Sequence, residues 1–211
     1  MRQVNLKVAL GLAAVAGVLA AGGVAWCLLM REKSPDVVLP NDDIEALKAL
    51  ALRGDSACQY NLGVKYLTGD GVEADRRLAV EWFTKAAMSG DIDALYNLGA
   101  LYADGIGVPK DEALAFRFYR QAAEGGSVQA RHNLGEAYYR GRGVARNYEL
   151  AVDCFRQAAA AGDALSLYRL GDCSYIGRGL PVDRERAVEY YRAAAQRGCK
   201  LAEERLKELK K

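Results

Sequence analysis

The sequence predicts an all-α chain: a right-handed α-solenoid of four 36-residue helix–turn–helix repeats behind an N-terminal transmembrane helix. The first observation is a 36-residue period that runs without insertion or deletion through residues 55–90, 91–126, 127–162 and 163–198. Gly63, Gly99, Gly135 and Gly171 form one column of it. Gly69-x-Gly71, Gly105-x-Gly107, Gly141-x-Gly143 and Gly177-x-Gly179 form a second, and Ala86-Ala87, Ala122-Ala123, Ala158-Ala159 and Ala194-Ala195 a third. The other observation is an uncharged run over residues 8–30.

That run follows a short flank, residues 1–7, which carries Arg2 and Lys7. As a helix it would extend about 34 Å, enough for a hydrocarbon core. Cleavage after Val18-Leu19-Ala20 would leave an apolar tail, and Trp26 before Cys27 argues against a lipoprotein signal. An uncleaved signal-anchor, inserted in the lipid bilayer, is therefore expected. The basic N-terminal flank favours export of the repeats. Residues 31–40, with Pro35 and Pro40, form a linker; proline discourages a continuous helix there.

Within each repeat, Asp55, Asp91, Ser127 and Asp163 stand where a side chain accepts from the first-turn amides of helix A. Apolar residues at helical spacing follow, and the Gly-x-Gly pair ends the helix in the left-handed conformation. Asp75, Asp111, Asn147 and Asp183 cap helix B in the same way. Glycine inside helix A costs about 1 kcal/mol against alanine. Its return in every copy predicts a close contact there, with the Ala-Ala column as the expected face. Terminal repeats need lids: residues 41–54 align with helix B one period earlier, and residues 199–211 start as a helix A with a charged outer face.

The formal net charge of +2 argues against a nucleic-acid partner. Residues 34–126 carry 9 Lys/Arg and 15 Asp/Glu, whereas residues 127–211 carry 16 and 11. Such opposed halves fit solvated faces, an oriented partner, or self-association. The Gly-x-Gly turns lack the third glycine of a dinucleotide loop and the Lys-Ser/Thr of a P-loop, so no cofactor is expected. With one histidine, His132, and no Cys-x-x-Cys, no metal site is expected either. His132 has no evident nucleophile beside it, and catalysis is not expected. Cys58, Cys154, Cys173 and Cys199 leave two readings open, buried free thiols or a pairing such as Cys154–Cys173.

The stretches CQYNLGVKYLTGDGV, ALYNLGALYADGIGV and ARHNLGEAYYRGRGV, and more weakly SLYRLGDCSYIGRGL, resemble the Sel1-like repeat, a 36-residue relative of the tetratricopeptide repeat. The likeness covers residues 55–198. The departures are Cys154 in the third copy and Arg169, Ser174 and Leu180 in the fourth. The resemblance implies a non-enzymatic scaffold that binds a protein or peptide on its concave helix A face. It also implies a bacterial envelope setting, here the inner membrane with the repeats in the periplasm. Cysteine-rich members join helix B to the next helix A through cysteines seven residues apart; Cys58 holds the second place, but Ala51 the first, so that bridge is absent.

On that face the ladder Tyr60-Asn61, Tyr96-Asn97, His132-Asn133, Tyr168-Arg169 is the expected protein-binding set. Asparagine amides clamp extended backbones and aromatics flank them. The competing reading is that these side chains hydrogen-bond between repeats. A weak envelope hydrolase and a self-assembling module are the alternative functions. The basic stretch Arg140 to Arg146, with Arg178 one period after Arg142, is expected to be solvated turns, with contact to an anionic partner or lipid head groups as the alternative.

Overall fold

A computed structural model describes residues 44–209. The flank 1–7, the anchor expected at 8–30 and the linker 31–40 lie outside the described residues. Among the described residues no helix is long and apolar enough to cross a membrane.

The described residues form ten helices and no strand: α1 Ile44–Leu52, α2 Ser56–Thr68, α3 Arg76–Met88, α4 Ile92–Asp104, α5 Glu112–Glu124, α6 Val128–Arg140, α7 Tyr148–Ala160, α8 Ala164–Ile176, α9 Arg184–Gln196 and α10 Lys200–Glu208. Every extensive helix contact is between consecutive helices, the signature of a stacked solenoid. Helices α2, α4, α6 and α8 are the A helices of the four repeats; α3, α5, α7 and α9 are the B helices. Helix α1 precedes the stack and α10 follows it.

Both cap columns act as the sequence predicts. Asp55, Asp91, Ser127 and Asp163 accept from the amides of Cys58, Ala94, Ala130 and Ser166 at 2.7–3.2 Å. Asp75, Asp111, Asn147 and Asp183 accept from Leu78, Leu114, Leu150 and Arg186. Each such cap stabilises its helix by about 1 kcal/mol. The column ends at Cys199, which starts α10 with no side-chain hydrogen bond.

The Gly-x-Gly turn does two jobs. Its first glycine takes the left-handed C-cap conformation. Its second glycine lies against the preceding repeat: a Cβ on Gly107, Gly143 or Gly179 would strike the carbonyl of Arg76, Glu112 or Tyr148, the first residue of helix B one repeat earlier. Backbone therefore meets backbone where repeats join, and a side chain at these positions would push them apart.

The glycine inside helix A has a different neighbour from the one expected. A Cβ on Gly63, Gly99, Gly135 or Gly171 would lie 2.5–2.8 Å from a ring carbon of Phe83, Tyr119, Phe155 or Tyr191. The contact is with helix B of the same repeat and with an aromatic, not with the Ala-Ala column. The alanines serve the return to the next repeat instead. Ala86, Ala122, Ala158 and Ala194 are buried, and their carbonyls accept from the N–H of the next cap residue at 2.9–3.1 Å. The core is thus a row of ring-on-glycine contacts. Phe83, Phe155 and Tyr191 are wholly buried; burying one such ring contributes about 1.5–3 kcal/mol.

Candidate protein-binding surface

Helix A turns its Tyr/His column back onto the same helix B rings. Tyr60, Tyr96, His132 and Tyr168 pack tilted on Phe83, Tyr119, Phe155 and Tyr191, with centroids 5.6–6.0 Å apart. All four are half-buried.

The neighbouring polar column diverges along the stack. Asn61 is exposed. Asn97 donates through Nδ2 to the Tyr60 hydroxyl at 3.3 Å. Asn133 is hydrogen-bonded to the Tyr119 hydroxyl, whose pKa burial pushes up to about 12. Arg169 is ion-paired with Glu136 of the preceding repeat and with Asp172 on its own helix, the latter at 3.3 Å. Hydrogen bonds between repeats thus engage Asn97, Asn133 and Arg169.

Two clefts open along this side. One, of about 310 Å³, is lined by Leu67, Arg76, Asn97, Leu101, Asp104 and Ile106 between repeats 1 and 2. The other, of about 290 Å³, lies between repeats 2 and 3 and includes Asp104, Glu112, Tyr119, Asn133, Arg140 and Arg142. Adding 36 to each residue of the first gives a residue lining the second, and Asp104 borders both. They are one feature repeated, and they adjoin. Of the eight ladder residues, Asn97 and Asn133 line these clefts.

The third register is occupied by side chains. Arg169 stands where Asn133 does, with Glu136 and Asp172 on either side of it. Tyr139 and Tyr148 stand where Ala103 and Glu112 do, and their rings meet edge to face at 5.3 Å. Arg178, the counterpart of Arg142, donates to the Tyr139 hydroxyl at 2.7 Å and lies over both rings. The Tyr191 hydroxyl donates to Asp172 at 2.8 Å, continuing the network into α9.

Sequence reasoning missed a partner for His132. Its Nδ1 lies 2.8 Å from the Ser166 hydroxyl and 3.2 Å from Asp163. Ser166 stands in a column otherwise filled by Cys58, Ala94 and Ala130, so histidine and serine arrive together, one repeat apart. Burial pulls the His132 pKa below its ordinary value, against the opposing pull of Asp163 and Glu136. Serine and aspartate share one ring nitrogen, whereas a catalytic relay uses both nitrogens of its histidine. Ser166 is also 0% exposed. The contact joins α6 to the start of α8.

The four cysteines of the repeats are free thiols. Burial pushes Cys58 and Cys154 up to about 11 and Cys173 up to about 12, far from thiolate reactivity. Among the described residues no cluster of three His, Cys, Asp or Glu side chains gathers to hold a metal.

Comparison with known proteins places this geometry in a family. The Sel1 repeat pattern matches residues 56–91, 92–127, 128–163 and 164–199, one residue on from the boundaries read from the period. A crystal structure of a protective antigen of uropathogenic Escherichia coli strains, displaying an SLR fold, is 38% identical with a TM-score of 0.71. It aligns over 73% of this chain and 33% of its own. A Sel1 repeat protein from Oxalobacter formigenes is 33% identical with a TM-score of 0.70, over 73% of this chain and 63% of its own. The chain thus spans between a third and two thirds of the length of these relatives. An immunity protein of Pseudomonas aeruginosa, 23% identical over 96% of this chain and 70% of its own with a TM-score of 0.51, shares the fold. No functionally curated protein matches. With all four repeats matched and their helices stacked in order, the chain belongs to the Sel1 repeat family.

Proposed function

We propose that this protein is a membrane-tethered interaction scaffold that holds an extended segment of a partner protein in the paired clefts of repeats 1–3. Sel1 repeat proteins are in general protein–protein interaction scaffolds. The observation that carries the finer reading is the pair of adjoining clefts, one period apart, that share Asp104 and each present an asparagine. An extended backbone needs side-chain amides at a regular step along its path, since an amide both donates and accepts. A stack with a fixed period supplies that step. The apolar residues 8–30 tether the scaffold, and the basic flank before them keeps the repeats on the exported side of a bacterial inner membrane.

Photo-crosslinking tests this. A benzophenone side chain at Asp104, between the clefts, should capture a partner that the same group at Asp153, an exposed position on α7, does not. Equal capture at both positions would rule out the clefts as the docking path. A C-terminal reporter that is active only in the cytoplasm would rule out the exported orientation.

A further inference from the structure

Three arginines of the third and fourth repeats, Arg142, Arg146 and Arg178, stand outside every ion pair among the described residues. Tyr148 holds two of them, Arg146 and Arg178, on one ring. Arg146 lies over the Tyr148 ring at 5.4 Å, and Arg178 lies over the same ring at 5.5 Å and over Tyr139 at 5.4 Å. Stacking fixes the plane of a guanidinium and leaves its N–H edge free. Arg178 spends one N–H on the Tyr139 hydroxyl and keeps the others. Glu112, on which the Gly143 turn seats, is paired with Lys110 at 2.9 Å, and Glu149, next to Tyr148, is exposed and in none of the ion pairs among the described residues. Two guanidinium groups on one aromatic ring, neither paired with a carboxylate, suit a planar anion, which two N–H groups can grip in parallel.

We propose that Arg142, Arg146 and Arg178 bind the carboxylates of an acidic peptide segment, the part of the partner that continues beyond the clefts. This rests on the peptide reading of the groove. Arg142 lines the cleft between repeats 2 and 3 and stands one period before Arg178, so a chain leaving that cleft meets the arginines next. That continuity favours a peptide over a lipid head group.

The test uses the full-length chain in detergent micelles with two fluorescent probes, an octapeptide of alternating glutamate and glycine and its glutamine–glycine isostere. The glutamate peptide should bind about tenfold more tightly, the scale of one charged hydrogen bond. The preference should shrink as salt rises. The double variant Arg146→Glu/Arg178→Glu should abolish it. Because Arg178 anchors Tyr139, the exposed Arg146→Gln serves as the variant that leaves the fold intact, and it should reduce the preference about threefold. Equal binding of the two peptides by the native chain, or an undiminished preference in Arg146→Gln, overturns the proposal. Tighter binding of glycerol phosphate than of the glutamate peptide also overturns it, in favour of a lipid head group. The Asn97→Ala/Asn133→Ala variant separates the two readings. If it binds the glutamate peptide as the native chain does, the groove reading fails and the anion site stands.

Discussion

The junction between repeats 2 and 3 and the junction between repeats 3 and 4 are built on one backbone plan and finished differently. In both, a Gly-x-Gly turn seats on the first residue of the preceding helix B. At the first junction the side chains are Ala103, Glu112, Asn133 and Arg142, and a cleft of about 290 Å³ remains. At the second they are Tyr139, Tyr148, Arg169 and Arg178; an ion-paired guanidinium and an aromatic pair take up the space. Backbone contacts set where repeats join. Four side-chain positions then decide whether a joint is an open cleft or a bolt. This separation lets a repeat protein vary its surface without disturbing its stack.

The sharpest way to break the comparison is to give the second junction the residue of the first. Arg169→Asn removes the cation that Glu136 and Asp172 share, both mostly buried, and leaves Glu136 with Arg140 and Asp172 with the Tyr191 hydroxyl. The expected cost is about 2–3 kcal/mol, less than a fully buried pair would lose, because Arg169 is a quarter exposed. It reads out in the denaturant midpoint. Adding Glu136→Ala and Asp172→Ala, on the pattern of Ala100 in the second repeat, should recover most of that loss. If the triple variant is no more stable than Arg169→Asn, the ion pairs are not what closes this joint.

Next in size is Gly135→Ala. Helix propensity alone predicts a gain of about 1 kcal/mol. A methyl here meets the Phe155 ring at 2.6 Å, and overpacking of that kind costs about 1–3 kcal/mol. The net should be destabilising, with a lower melting temperature; a higher one would mean that the ring swings aside freely.

The His132–Ser166 contact adds a pH dependence to the joint of repeats 3 and 4 that the other repeats lack. The folded state disfavours the imidazolium, so His132 titrates below its ordinary 6.5. Its contribution is full above that value and is lost as pH falls from there through the folded pKa. The double variant His132→Tyr/Ser166→Ala, which restores the residues of repeat 2, should flatten the melting temperature over that interval. An unchanged slope would place the acid sensitivity elsewhere.

The smallest expected effect is Asn97→Ala, which loses one long hydrogen bond to Tyr60 and about 0.5 kcal/mol. If partner capture falls much further than stability, the asparagine serves the groove; if the two fall together, it serves the stack.

The fold was legible because each repeat writes its own punctuation. Cap aspartates and turn glycines are local signals, and four copies of each left little freedom in where helices begin and end. The partner of Gly99 was not legible in that way. Which face of helix A meets which residue of helix B depends on how the two cross, so the small alanines were the expected neighbours and the aromatic rings the actual ones. In the candidate site, Arg169 carried a readable clue, since Glu136 and Asp172 appear in one column just where arginine replaces asparagine in another. Ser166 did not, because its meaning depends on His132, 34 residues away on another helix. Whether a junction is open or filled could not be read at all without side chains in place.

The seat of Gly107, Gly143 and Gly179 on the preceding helix B has one more consequence. It makes the chain modular in whole units of length. Excising residues 91–126 would bring the turn at Gly143 onto Arg76, a surface already shaped to receive such a turn, and the shortened stack would close. Removing one residue fewer would rotate every later helix by about 100° and present side chains where bare backbone is required. Duplication and loss of complete repeats are therefore the cheap edits open to this architecture, and single-residue slips within the period are the forbidden ones.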